Sequence, residues 1–300
     1  MSTSAPRRLL ILLPYLWLGL FFLVPFLIVI KIALSDSVTA SPPYAPTFSL
    51  DEGLAGLRAA FAALDFENFL WLAEDGIYLK AYLNSVKVAA IATLLCLMIG
   101  YPVAYAMAKA PQDWRKTLLL LVILPFWTSF LIRIYAWIGI LKNEGFLNLT
   151  LMKLGLIDQP LAIMHTEIAV YVGIVYSYLP FMILPLYASL ERIDGRLLEA
   201  AEDLGCGAFA AFRQITLPLS LPGVVAGCFL VFIPAIGEFV IPDLLGGSGT
   251  LMIGKTLWLE FFSNRDWGVA AAVAIVLLTI LIVPIVLFQR HQQKHQEELG

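Results

Sequence analysis

Six long apolar runs constrain this chain more than any other feature. They cover residues 9–30, 88–107, 117–141, 168–190, 214–237 and 268–288. A helix needs about 20 apolar residues to cross a hydrocarbon layer about 30 Å thick. Only helices and closed barrels satisfy their own backbone polar groups there, and these runs are too long and continuous for barrel strands. The expected fold is therefore all-α and integral to a membrane, with six transmembrane helices in one domain spanning 1–300. Composition points the same way, with 60% hydrophobic residues, 14% charged residues and a mean hydropathy of +0.87. Soluble domains are nearer about 45–50% apolar and about 25% charged. Prolines 25, 102, 125, 180 and 234 punctuate the runs, which membrane helices tolerate when neighbours re-satisfy the freed carbonyls. The net charge of −3 offers no basic field for nucleic acid. Cys96, Cys206 and Cys228 lack the spacing of a disulfide framework and read as free thiols.

The start resembles a signal peptide, since Arg7 and Arg8 precede an apolar run and Val38-Thr39-Ala40 mimics a cleavage site. The run is longer than the usual apolar region of about 7–15 residues, so an uncleaved first span is expected. Orientation follows the Lys/Arg bias of the loops. With the N-terminus inside, the inside segments carry Arg7, Arg8, Lys109, Arg115, Lys116, Arg192, Arg196, Arg213, Arg290 and Lys294. The outside segments are longer and carry only Arg58, Lys80, Lys142, Lys153, Lys255 and Arg265. Both termini are therefore expected to be cytoplasmic. The outside segment, about 35–80, is acidic through Asp36, Asp51, Glu52, Asp65, Glu67, Glu74 and Asp75.

The inside loop at about 191–218 is patterned. Asp194 can cap a short helix running to Leu204, and Gly205 suits the left-handed position that ends one. A second helix is expected from about 208 to 217, with Pro218 near the return to the membrane. Ala200 and Ala201 leave room for close approach by a partner, and Glu199 offers a charge to a partner arginine.

The spacing Glu199-Ala200-Ala201, Gly205, Ile215, Leu217, Pro218 resembles the signature loop of ABC importer permeases. In that family the loop docks on a cytoplasmic ATPase and transmits its closure. The resemblance covers nearly the whole chain. Ser129 to Trp137 (SFLIRIYAW), Tyr178-Leu179-Pro180-Phe181-Met182, Gly237 to Pro242 (GEFVIP) and Asn264-Arg265-Asp266-Trp267 look like the polyamine branch, the spermidine/putrescine type, and most like its putrescine-permease subunits. Gly268 departs from the proline common after that tryptophan. The resemblance implies a type I permease fold in the bacterial inner membrane, and polyamine passage with putrescine favoured over spermidine. It also implies a second permease forming a heterodimer, two ATPase subunits that hold ATP and magnesium, and a periplasmic polyamine-binding protein. No cofactor or metal is expected in this chain. Permeases for a metal ion or oxyanion, or a stand-alone channel or carrier, are the alternatives. The patterned loop has no job in a stand-alone protein.

Gly249 to Thr256 matches the phosphate-loop pattern G-x-x-x-x-G-K-[ST]. That pattern cradles phosphate only between a strand and a helix of an α/β sheet, and here it falls in a loop between spans. Asn148-Leu149-Thr150 is a glycosylation sequon without expected use in a bacterial membrane protein. Neither H-E-x-x-H nor G-x-S-x-G occurs, and the histidines at 165, 291 and 295 lie in loops or the tail, so no enzyme is expected.

Arg133 and Glu238 are the informative charges, because charge at membrane depth is costly and faces a cavity or a partner. The two side chains could simply pair with each other. Alternatively, Glu238 and Asp243 belong to a substrate pathway with aromatic faces from Trp127, Tyr135, Trp137, Tyr178 and Phe239, and Tyr176 nearby. Carboxylates among aromatic rings suit a flexible diammonium ligand through ion pairing and cation–π attraction. The aromatics could equally form an interfacial belt.

Overall fold

The computed structural model describes residues 4–47, 62–247 and 249–297, with 56, 58 and 59 between. Asp51 and Glu52 of the expected acidic segment lie outside the described residues. The chain forms two compact units, residues 1–80 with 256–300 and residues 81–255.

In the first unit, α1 (Ser4–Leu18) and α2 (Val24–Ala33) are joined by a π turn, Gly19–Leu23. Pro25 follows that turn. A wider turn spares the preceding carbonyl the clash that proline makes in a regular helix. The α2 end is closed by Asn68, whose Nδ2 donates to Ala33 O at 3.0 Å and Ser35 O at 2.9 Å. A short antiparallel hairpin follows, β1 (Asp36–Ser37) with β2 (Tyr44–Ala45). Next come α3 (Glu67–Glu74) and the first turn of α4 (Gly76–Lys109). The Asn264-Arg265-Asp266-Trp267 sequence starts the last helix. Arg265 takes a left-handed conformation at φ 53°, and Asp266 Oδ1 accepts the Val269 N–H at 3.0 Å. Trp267 stacks on Phe261 with centroids 4.9 Å apart. This last helix, running Trp267–Glu297, packs against α2 and α3.

The second unit holds the rest of α4, then α5 (Gln112–Ile123), a 3-10 turn (Leu124–Trp127), α6 (Phe130–Leu141), α7 (Phe146–Lys153) and α8 (Glu167–Leu190). It continues with α9 (Gly195–Asp203), α10 (Ala208–Ala211), a π turn (Phe212–Thr216), α11 (Leu217–Ile236), α12 (Val240–Leu244) and the start of α13 (Ile253–Trp258). The Trp267–Glu297 helix is α14.

Four of the six expected runs form unbroken helical stretches of spanning length: Ile11–Ala33, Gly76–Lys109, Glu167–Leu190 and Ala208–Ile236. The third run was expected to be continuous and is not. Gln112–Trp127 and Phe130–Lys153 meet at a bend of 88°. Pro125 withholds a backbone donor, Thr128 becomes extended at ψ 150°, and its hydroxyl donates to Pro125 O at 2.8 Å. The sixth run lies within one continuous helix, Trp267–Glu297.

The α8–α11 crossing holds the core of the second unit. Gly223 and Gly227 lie one turn apart on α11, the small-xxx-small spacing that lets membrane helices approach closely. A Cβ on Gly223 would stand 2.6 Å from Ser189 Cβ, and one on Gly227 would stand 2.7 Å from Met182 Sδ. Met182, Leu186, Val231 and Cys96 are fully buried around this contact.

Candidate coupling and translocation sites

The patterned loop folds as its local signals dictate. Asp194 caps α9 by accepting the Arg196 N–H at 3.0 Å. At the other end Cys206 N donates to Ala201 O and Gly205 N to Glu202 O, both at 2.8 Å, with Gly205 at φ +77°. These paired bonds form the glycine-terminated cap known as the Schellman motif. Ala201 is buried, whereas Glu199, Ala200 and Gly205 are exposed. Leu204 and Phe209 stand out at 88% and 78% exposure. The expected second helix does not stop near Pro218. It runs from Ala208 to Ile236 without a break. The π turn Phe212–Thr216 carries the Leu217 N–H to Phe212 O and so widens the helix just before Pro218. Ile215 and Leu217 are half-buried on this rod, and Pro218 is exposed.

The second site lies where α6, α8 and α12 adjoin. Glu238 is 8% exposed, and both of its carboxylate oxygens are engaged. Oε1 accepts the N–H groups of Val240 at 3.0 Å and Ile241 at 3.4 Å, which fixes the start of α12. Oε2 accepts a short hydrogen bond from the Tyr178 hydroxyl. Among the described residues, ion pairs join Lys87 to Glu167, Arg115 to Glu191 and Lys255 to Asp243. Glu238 is thus a buried carboxylate held by hydrogen-bond donors, with no ion-pair partner among the described residues.

Arg133 is its counterpart, also 8% exposed. It does not pair with Glu238, contrary to the simplest expectation. Its guanidinium lies 5.2 Å from the Phe126 ring centroid and 5.7 Å from that of Phe130. Its Nε and Nη1 are buried without hydrogen-bond partners. An aromatic chain links the two charges. Phe126 meets Phe181 edge-on at 5.1 Å, and Phe181 lies 6.1 Å from Tyr178, the donor to Glu238.

Residues 99–296 match the family of binding-protein-dependent transport system inner membrane components. A spermidine/putrescine transport system permease protein of Haemophilus influenzae is 46% identical over 214 residues, covering 71% of this chain and 75% of the relative. Its Escherichia coli counterpart is also 46% identical, over 72% of this chain and 78% of the relative. The chain belongs to the inner-membrane permease family of ABC importers. A molybdenum transport system permease of Mycobacterium bovis is 31% identical over 77% of the chain and 85% of the relative. A solved bacterial ABC transporter that imports alginate superposes with a TM-score of 0.70 at 16% identity, covering 97% of this chain and 96% of that one. That likeness establishes the type I permease fold. The permease is thus a transport component of the inner membrane rather than an enzyme.

The remaining expected site residues of the permease separate into two groups. Phe239 is half-buried beside Glu238, and Trp137 packs edge-on against Tyr176 at 5.4 Å. Trp127 and Tyr135, by contrast, are 71% and 60% exposed on the surface of this chain. Asp243 pairs with Lys255 at 3.0 Å. The phosphate-loop look-alike is thereby tied down at its lysine, and the element just before it is the helix Val240–Leu244 rather than a strand. Sequence reading missed Phe126 and Phe181, whose role depends on contacts across the bend at Thr128. It also missed the exposed Leu204 and Phe209, which flank Gly205 closely enough for the glycine to have flagged them.

Proposed function

We propose that this permease is one of two membrane subunits of an ATP-driven importer for polyamines, covering both putrescine and spermidine. Both termini face the cytoplasm. A second permease completes the pathway, two ATPase subunits bind ATP and magnesium, and a periplasmic binding protein delivers the substrate. Glu199 and the apolar pair Leu204 and Phe209 face the ATPase, and Gly205 keeps α9 rigid and correctly ended. Ala200, Ala201, Ile215, Leu217 and Pro218 shape that surface. The single observation that carries the substrate reading is the buried carboxylate of Glu238, without an ion-pair partner among the described residues, beside the Tyr178 and Phe181 rings. It can hold one ammonium while aromatic faces, including Trp127, Tyr135, Trp137 and Phe239, contact the methylene chain. Asp243 offers a second carboxylate near the mouth. A passage must attract its ion without trapping it, and a carboxylate already shared with three donors meets that need.

A second reading has a specific observation behind it. Arg133, with two unpartnered nitrogens, would suit an oxyanion, and the molybdenum permease relative points the same way. Uptake by the complete complex in proteoliposomes separates the two. Labelled putrescine and spermidine should enter with ATP and compete with each other, and molybdate should not. Uptake of molybdate and of neither polyamine would replace the first reading with the second.

A further inference from the structure

A groove of about 440 Å³ opens between α4, α6 and α8 in the second unit. Leu95, Ile99, Ile168 and Val172 line it with the Trp137 and Tyr176 rings. No charged residue is among its walls, so it offers nothing to an ammonium ion in transit. Tyr171 also lines it, and the Tyr171 hydroxyl is buried without a hydrogen-bond partner. Buried tyrosine hydroxyls usually find one, because an unmade hydrogen bond is costly. Glu167, directly before Ile168 and one turn from Tyr171 on the same face of α8, pairs with Lys87 of α4 at 3.0 Å. Both members of that pair are about half exposed, at 51% and 42%. Lys87 and Glu167 stand immediately before the apolar runs 88–107 and 168–190, so the pair marks the edge of the hydrocarbon layer. From Lys87 to Ile99 the α4 axis descends about 18 Å at 1.5 Å per residue, close to half of a layer about 30 Å thick. At the next residue the seam between α4 and α8 closes, since a Cβ on Gly100 would stand 3.0 Å from Met182 Cγ. The groove is therefore one leaflet deep. A helix of another subunit would run through both leaflets, whereas an acyl chain ends halfway.

We propose that this groove is a binding site for one phosphatidylethanolamine molecule of the surrounding leaflet. The lipid phosphate meets Lys87, and its ammonium group meets Glu167. A glycerol ester carbonyl accepts the orphaned Tyr171 hydroxyl, and one acyl chain fills the space between Leu95, Ile99 and Val172. The head group is chosen by the two charges at the rim. Phosphatidylglycerol would set its phosphate beside Glu167 with no cation of its own, and phosphatidylcholine has no ammonium N–H to donate to that carboxylate. The site does not depend on which solute the permease carries.

The test uses the complete importer, stripped of lipid in detergent and titrated with a phosphatidylethanolamine that carries a photoreactive group on the first carbons of one acyl chain. Mass spectrometry of the labelled peptides should place the label on the groove stretches of α4 and α8. Unlabelled phosphatidylethanolamine should displace the probe at a concentration at least about fivefold lower than phosphatidylcholine or phosphatidylglycerol with the same chains, the discrimination expected from one hydrogen bond to a charged group. Tyr171→Phe should raise the half-saturating probe concentration about fivefold, the loss of one ordinary hydrogen bond. The lipid-free Tyr171→Phe complex should melt at or above the wild-type Tm, because it lacks the buried unpartnered hydroxyl. Saturating phosphatidylethanolamine should then raise the Tm of wild type more than that of the variant, as tighter binding to the folded state requires. A lower Tm for lipid-free Tyr171→Phe would show that the hydroxyl serves the fold rather than a lipid, and would overturn the proposal. Equal displacement by all three lipids would overturn it too, as would labelling outside the groove. Crosslinking of Ile99→Cys to the second permease, with no lipid label, would give the groove to that subunit instead.

Discussion

The coupling helix and the cluster around Glu238 both present carboxylates, but they handle them in opposite ways. Glu199 and Glu202 are exposed on a nine-residue helix that neighbouring residues define completely, from the Asp194 cap to the Gly205 turn. Glu238 is buried, holds three hydrogen bonds and depends on Tyr178, sixty residues away in sequence. The exposed carboxylates cost little to maintain and are free to meet a partner. The buried one is costly to desolvate, and its position is fixed by contacts from other helices. A permease needs both kinds, one surface that a partner can grip and one interior charge that a substrate can meet.

The comparison breaks most visibly at Gly205. At φ +77° a β-branched side chain is strained by an amount on the order of 1–3 kcal/mol even though the space is open. Gly205→Val should insert normally in the membrane yet lose uptake and substrate-stimulated ATP hydrolysis together. Gly205→Asn, which tolerates the left-handed region, should retain much of both. Near-wild-type uptake by Gly205→Val would show that the α9 end transmits nothing.

A substitution in the packed interior should act on stability instead. Gly227→Val would drive a side chain into Met182, and overpacking typically costs about 1–3 kcal/mol. The purified complex should show a lower Tm, with loss of uptake tracking loss of folded protein. An unchanged Tm would mean that the α8–α11 crossing is looser than the glycine contacts imply. The smallest effect is expected at the helix cap. Asp194→Ala removes a bond to the Arg196 N–H worth about 1 kcal/mol, so uptake should fall only modestly and Asp194→Asn should restore it. A complete loss in Asp194→Ala would make the start of α9, rather than its end, the sensitive element.

The same division explains what could be read from sequence. The cap at Asp194 and the turn at Gly205 are local, so the α9 boundaries followed from residue chemistry. Pro218 was misread as a boundary because a π turn lets the rod continue past it. Pro125 broke a run that hydropathy alone made continuous, since its effect depends on Thr128 taking over the carbonyl bond. Arg133 and Glu238 were legible as costly charges. That they stay apart, joined by Phe126, Phe181 and Tyr178, depends on packing between helices that no single stretch of sequence encodes. The Gly223–Gly227 spacing went unread, because its meaning depends on Met182 and Ser189 of a different helix.

The central claim is that the interior carboxylate serves the substrate while the exposed ones serve the partner. Uptake of labelled putrescine and spermidine by Glu238→Gln complexes tests it most directly, with assembly and binding-protein docking checked separately. Glutamine keeps an oxygen for the α12 N–H groups and removes the charge. Uptake should fall at least about tenfold, the loss expected when a charged hydrogen-bonding partner is neutralised, in complexes that still assemble and dock. Wild-type uptake of both polyamines by correctly assembled Glu238→Gln complexes would contradict the account.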